Sequence, residues 1–203
     1  MKIINNNIRF YKNDLNKFKY LKKIHTYYNK KINLISTNSL NNFYLNHIEY
    51  SLSIINLIKF LPNSEIMDAG TGGGFPGIPL SIIFKNTKFY LVDSINKKIL
   101  ILKKIIKILN INNVYIINNR IENIKKKFDF VISRYLTNIN NIYNMFKNNI
   151  KKKSNHYLKN GIIYLTGVKK NNIKIKKYYI RDLYSIYKND FYFNKKIIYI
   201  PII

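Results

Sequence analysis

The order of elements predicts an α/β fold: a mostly parallel sheet with helices on both faces, an antiparallel C-terminal edge and an N-terminal helical cap. Three observations carry this. After Pro62, short apolar runs alternate with segments of helical period, the pattern of parallel strands joined by crossover helices. Before Pro62 there is no glycine, and apolar residues recur at three- and four-residue steps. Between the two lies the window Gly70-Thr-Gly72-Gly73-Gly74-Phe75-Pro76-Gly77-Ile-Pro79, which holds five of the chain's seven glycines and so marks one tight turn.

Residues 10–30 space Phe10, Asp14, Phe18, Leu21, His25 and Tyr28 as an amphipathic helix does. A second helix is expected over 39–60, with Leu40, Phe43, His47, Ile48, Leu52 and Ile55 on one side, ended by Pro62-Asn63. Residues 1–60 therefore read as the helical cap and 61–203 as the sheet domain. Strands are expected at 65–69, 88–93, 114–118, 128–133 and 161–166, with helices at 78–84, 96–109 and 139–150. The tail differs. Segments 178–180, 190–193 and 196–203 read as strands without long helices between them, suited to an antiparallel edge.

Composition narrows the chemistry. The absence of cysteine excludes disulfides, thiolate metal sites and cysteine nucleophiles, and makes a reducing cytoplasm the expected home. His25, His47 and His156 share no metal-ligand spacing, so no metal is expected. No run approaches the ~18 consecutive apolar residues of a membrane span. A net charge of +27 suggests a polyanion partner. An AT-rich genome, whose codons favour Lys, Asn, Ile, Tyr and Phe, would produce much of the same charge. Only Arg9, Arg120, Arg134 and Arg181 are arginines, which makes their positions informative, because the guanidinium is a rigid fork that lysine lacks.

Gly72-Gly73-Gly74-Phe75-Pro76-Gly77 satisfies the dinucleotide pattern G-x-G-x-x-G. With Asp68 two residues before Gly70, the window also reads D-x-G-x-G-x-G, the first motif of Rossmann-like methyltransferases that use S-adenosylmethionine. A carboxylate at Asp68 suits a methionine ammonium and is awkward beside a pyrophosphate; the competing reading is an Asp that braces the loop. Asp93 ends the second strand, where it either accepts from ribose hydroxyls or caps the next helix. Arg120 and Arg134 each follow a strand's C-terminal end, the edge at which open α/β sheets bind ligands.

Together these motifs resemble the ribosomal small-subunit methyltransferase G family, also called glucose-inhibited division protein B. The resemblance rests on Asn33-Leu-Ile-Ser36, His47 with Ser51, Asp68-Ala-Gly-Thr-Gly-Gly-Gly-Phe-Pro-Gly-Ile-Pro-Leu80, Leu91-Val-Asp-Ser94, Arg120-Ile-Glu122, Ser133-Arg134 and Gly167, over roughly residues 20–200. It implies a Rossmann-like S-adenosylmethionine-dependent sheet and methyl transfer to N7 of a guanine in the 530 loop of 16S rRNA. It also implies cofactor contacts at Gly70, Phe75, Ile121, Glu122 and Arg134, which join those expected from the motif residues Asp68, Gly72 and Asp93; Arg134 and His47 are expected in positioning roles. Substrate contacts are expected from Arg120, Lys169, Lys170 and Lys195. Three positions depart from the family pattern: Thr166 stands for Lys, Tyr50 for Asp, and Lys195 or Lys196 for Arg.

N7 of guanine already offers a lone pair, so no general base is required, and none is expected here. The small ribosomal subunit is the expected partner of a monomer that binds neither membrane nor metal. Two other classes remain open at this stage: an NAD-linked oxidoreductase, from the G-x-G-x-x-G pattern, and a basic ribosome-binding factor that has lost turnover.

Overall fold

The computed structural model describes residues 12–167 and 173–202. Seven strands form one sheet: β1 (Glu65–Ala69), β2 (Lys88–Asp93), β3 (Val114–Asn118), β4 (Phe130–Arg134), β5 (Gly161–Thr166), β6 (Tyr179–Asp182) and β7 (Lys196–Pro201). Their order is β3-β2-β1-β4-β5-β7-β6. The first five are parallel, whereas β7 runs antiparallel to both β5 and β6. Sequence and position agree. The apolar runs of β1, β4 and β5 are buried on both faces, as central parallel strands must be, while edge strand β3 has no fully buried residue. The chain leaves β1 toward β2 and returns to β4 on the opposite side, so the strand order reverses between β1 and β4. A crevice opens at such a point, and the glycine turn lies there.

Helix α1 (Lys12–Asn29) buries Asp14, Phe18, Leu21 and His25 along one face; Phe10 lies outside the described residues. The single helix expected over 39–60 is not formed. Instead α2 (Thr37–Asn41), a π-helical turn at Tyr44–Glu49, α3 (Tyr50–Leu52) and a 3-10 turn at Ser53–Asn56 follow one another. Polar side chains compete with the ladder here: Ser51 Oγ donates to His47 O, Ser53 Oγ to Tyr50 O at 2.7 Å, and Asn56 Nδ2 to Ser53 O at 3.0 Å. Beyond β1, α4 (Gly77–Ile83), α5 (Asn96–Ile108) and α6 (Ile139–Phe146) stand where helices were expected, α6 ending early in a 3-10 turn, Lys147–Asn149. Phe128 precedes β4 and forms only an isolated parallel bridge to Ile150.

The tail brings two further corrections. Within segment 190–193 a 3-10 turn forms at Asp190–Tyr192, because Asn189 Oδ1 accepts from Phe191 N at 2.9 Å and starts a helix rather than a strand. A short helix not foreseen, α7 (Leu183–Tyr187), is capped by Asp182, which accepts from Ser185 N at 3.1 Å.

One sheet face packs Phe18, Leu21, Phe43 and Leu52 against Ile66, Leu91, Ile132 and Leu165 in a single cluster, so the N-terminal helices share the sheet's core. The other face buries Val131, Ile162 and Ile198 beneath Ile139, Ile142 and Phe146 of α6. Loops are tied down by neutral carboxamides. Asn113 Nδ2 spans the carbonyls of Ser81, Phe84 and Thr87 at 2.8–3.1 Å. Asn149 Nδ2 reaches Ile124 and Lys126 at 2.7 and 3.1 Å, and Asn160 Nδ2 reaches Lys151 and Lys153 at 3.0 and 2.6 Å.

Candidate active site

The turn after β1 is held from below. Asp68 is fully buried, and its Oδ2 accepts from Thr71 Oγ1 at 2.6 Å and Gly77 N at 2.8 Å. Gly77 must be glycine for this contact, since a Cβ there would lie 2.7 Å from the same oxygen. Gly70 takes φ +67, and a Cβ on it would come within 2.5 Å of Leu136 Cδ1. From the helical side, His25 Nε2 lies 2.8 Å from Gly73 O while its Nδ1 lies 2.9 Å from Leu21 O, tying α1 to the turn. Burial lowers the His25 pKa despite these two carbonyls.

Two cavities meet at Gly70 and Gly72. One, of about 500 Å³, is lined by Asp93, Lys98, Arg120, Ile121, Glu122 and Leu136. Asp93 accepts from Gly72 N through Oδ2 and from Ile95 N through Oδ1, both at 2.9 Å. It therefore braces the turn and the entry to α5, and each oxygen keeps a second lone pair for a ligand. The other cavity, of about 370 Å³, is lined by His47, Tyr50, Phe75, Arg134, Tyr135 and Lys195 among others, and no carboxylate lines it.

Within this second cavity His47 and Arg134 form one unit. Arg134 Nη2 lies 3.1 Å from His47 Nδ1, Nη1 donates to Asn46 O at 2.9 Å, and His47 Nε2 lies 2.8 Å from Ser39 Oγ. An arginine can only donate, so Nδ1 accepts and Nε2 carries the proton. Burial lowers the His47 pKa to about 3, with Arg134 and His25 adding to the shift, and the ring stays neutral near pH 7. The π-helical turn presents Asn46 and His47 together toward Arg134. Phe75 lies beneath, 4.5 Å from the His47 ring and 5.5 Å from the guanidinium.

Lys195 reaches the same cavity, its Nζ 3.7 Å from the Phe191 ring centre and donating to Phe191 O; burial lowers its pKa. Tyr135, half exposed at φ +49, stands beside Tyr50, whose hydroxyl donates to its own at 3.3 Å.

The expected site residues divide between the cavities. Gly70, Gly72, Asp93, Ile121 and Glu122 gather in the larger; Phe75, Arg134, His47 and Lys195 gather in the smaller, which also touches Gly70 and Gly72. Two residues stand apart from this division. Arg120, expected to contact substrate, lies in the larger cavity with Glu122. Asp68 lines neither cavity and acts as the loop brace. Lys169 and Lys170 lie outside the described residues. Thr166 is buried and lines neither cavity. The sequence reading missed Ser39, Asn46, Phe191 and the His25–Gly73 contact. These depend on pairings across the fold that no local motif records, although Asn46 does stand beside His47.

The residues suit S-adenosylmethionine. Asp68 Oδ1 is buried without a hydrogen-bond partner among the described residues, and burial raises this carboxyl to about 6 against the donors Thr71 and Gly77 and the charge of Arg134. A ligand's carboxylate would meet Arg134, and Asp93 has room for ribose hydroxyls, while Asp68 acts from beneath by holding the turn. No group of three His, Cys, Asp or Glu among the described residues could hold a metal. No described helix is long and apolar enough to cross a membrane.

A family model described as rRNA small subunit methyltransferase G matches residues 14–189. The chain is 39% identical over 191 residues to a ribosomal RNA small subunit methyltransferase G of Flavobacterium johnsoniae, covering 93% of this chain and 91% of the relative. It is 39% identical over 188 residues to the protein of that name in Phocaeicola vulgatus, covering 91% and 90%. Among solved structures, a mutant of MtNAS in complex with S-adenosylmethionine superimposes with a TM-score of 0.56 at 16% identity, over 93% of this chain and 71% of that one. At that identity the likeness speaks to the fold alone.

Proposed function

The chain belongs to the rRNA small subunit methyltransferase G family, and we propose that it moves a methyl group from S-adenosylmethionine to N7 of a guanine in the 530 loop of 16S rRNA. It is a methyltransferase that uses S-adenosylmethionine. One observation supports the choice of atom: among the described residues, the cavity that would take the base is lined by no carboxylate and by no imidazole with an uncommitted nitrogen. His47 is its one imidazole, and both ring nitrogens are committed, one to Arg134 and one to Ser39. A reaction that had to remove a proton would lack a base here, whereas N7 attacks with a lone pair it already has.

Bound S-adenosylmethionine supplies an electrophilic methyl on a sulfonium. The chain's own residues hold the two reactants in line, an effect that contributes ~7–11 kcal/mol when reacting atoms are well oriented. Asp68 and Asp93 fix the turn; Asp93 and Glu122 face the adenosine side. Arg134, clamped by Asn46 and His47, presents its remaining donors to an anionic group or to guanine O6. Tyr135 offers a ring face to the base. Positive charge grows on guanine as the methyl arrives, so a cation at N7 itself would oppose transfer. Lys195, drawn onto Phe191, suits a phosphate or the guanine rim. A guanine in a loop is the fitting target, because N7 in an A-form duplex lies in a groove too deep and narrow for side chains.

The test is tritiated methyl transfer to unmodified 30S subunits and to naked 16S rRNA, followed by nucleoside identification. Label in 7-methylguanosine is expected. Label in any other nucleoside, or none in either substrate, overturns the reading.

A further inference from the structure

A third cavity lies away from the glycine turn, on the antiparallel edge, and its volume of about 580 Å³ exceeds both cavities of the site. Three tyrosines and three cations converge on it: Tyr157, Tyr179, Tyr199, Lys159, Lys177 and Arg181, with no acidic side chain among the described residues of the lining. In a chain of net charge +27 lysines alone would mean little. What distinguishes this place is that aromatic faces and cations share one concavity, and that one of the chain's four arginines stands in it.

The fold holds the rings in place. Alternation along β6 sets Tyr179 and Arg181 on one face of the sheet, and β7 brings Tyr199 opposite Tyr179, ring centres 5.8 Å apart and 19° from parallel. Tyr199 donates its hydroxyl to Lys159 O at 2.5 Å, and Tyr157 donates its own to Leu57 O. The Tyr157 and Tyr179 side chains nevertheless remain 74% and 54% exposed. Exposed, tethered aromatic rings beside cations form a stacking platform for a single-stranded nucleobase and its phosphate. An apolar peptide, or a second copy of this chain with its own charge of +27, would gain little from three cations.

One strand links the groove to the site, although the two cavities share no lining residue. Lys195 stands in the substrate cavity, and β7 begins at the next residue, with Ile197, Tyr199 and Pro201 lining the groove. At ~3.3 Å per residue, the two places lie ~7–20 Å apart along the strand, within reach of one short stretch of RNA.

We propose that this groove receives an unstacked nucleotide flanking the target guanine, its base on Tyr157 and Tyr179 and its phosphate on Lys177 and Arg181. The proposal rests on the RNA-methyltransferase reading above. It is tested with the full chain and a 16S rRNA fragment carrying the 530 loop, measuring RNA binding across a salt series together with kcat and KM. Tyr157→Ala and Tyr179→Ala are each expected to weaken RNA binding about tenfold, with kcat at saturating RNA and S-adenosylhomocysteine affinity unchanged. Tyr179→Phe should keep the affinity. Arg181→Gln should lower the slope of log K against log salt by ~0.7, one single-strand phosphate contact.

Unchanged RNA affinity and salt slope in these variants overturn the groove proposal. So does Tyr179→Phe failing as badly as Tyr179→Ala, an effect confined to kcat, or a changed oligomeric state. The unsubstituted chain is assayed on the same RNA. If it transfers no methyl group, the RNA reading itself falls; if it does and the variants match it, the groove proposal alone falls.

Discussion

The two sides of the glycine turn are built in opposite ways. On the side proposed for the cofactor stand Asp68, Asp93 and Glu122, three of the chain's nine acidic residues, and the pieces that matter lie at or just past the ends of regular strands. On the side proposed for the substrate, no carboxylate among the described residues lines the cavity. Its wall is assembled from a π-helical turn, the residue after β4, and Phe191 and Lys195 near the start of β7. A cofactor of fixed shape can be met by a local motif whose backbone does most of the binding. An RNA target is met instead by long side chains from segments far apart in sequence, held by hydrogen bonds such as Arg134 to Asn46, 88 residues away.

This contrast can be broken most severely at Gly70. Gly70→Val forces a branched side chain into φ +67 and against Leu136, and strain plus overpacking of a few kcal/mol should reduce S-adenosylhomocysteine affinity about a hundredfold or more by calorimetry. RNA affinity in the same variant should change far less. If both fall together, the two sides are one unit and the contrast is wrong.

Asp68 tests the bracing role through pH. Its folded pKa of about 6 lies above the ordinary 3.8, so the folded state binds the extra proton between these values, and wild-type stability declines as pH rises from about 4 to about 6 and is level above. Asp68→Asn keeps an oxygen for Thr71 and Gly77 but removes the titration. Relative to wild type it should gain up to ~3 kcal/mol between pH 4 and 7 in urea unfolding. A difference that stays constant with pH would rule out this ionisation as its source.

Arg134→Lys keeps a charge but loses the fork that holds Asn46 and His47. A loss of ~1.5–3 kcal/mol, about ten- to a hundredfold in kcat/KM, is expected, and retention of full activity would show that charge alone suffices. Arg120→Ala is the mildest. As an exposed residue of the cofactor cavity it should change S-adenosylhomocysteine affinity by less than ~1 kcal/mol and leave the KM for RNA untouched. A rise in that KM would return Arg120 to the substrate side.

The same asymmetry governs what the sequence made legible. β1, β2, β3 and β5 fall at the expected residues because each is a short apolar run between breakers, and the glycine turn is recognisable from residue type alone. The segment 39–60 is less transparent. Its apolar spacing survives the change from α to π to 3-10 geometry, while Ser51, Ser53 and Asn56, whose bonds accompany that change, look like ordinary helix-surface residues. Segment 190–193 misleads in the reverse sense, since an aromatic run suggests a strand until Asn189 caps it as a helical turn. The partition of Arg120 and Arg134 between two cavities depends on where each strand stops: Arg134 is the last residue of β4, whereas Arg120 stands two residues beyond β3, a difference that the expected strand ends do not record.

The carboxamide staples at Asn113, Asn149 and Asn160 set a limit on the molecule's chemical lifetime. Each presents an NH2 group to main-chain oxygens, so hydrolysis of the amide to a carboxylate would replace a donor by an acceptor facing acceptors. Asn160 precedes Gly161, whose bare Cα hinders attack on the side-chain amide least, yet Asn160 is 1% exposed and its geometry is fixed by the strand that follows. Ageing at this position is therefore gated by local opening of β5, and its rate reports how often that end of the sheet comes apart.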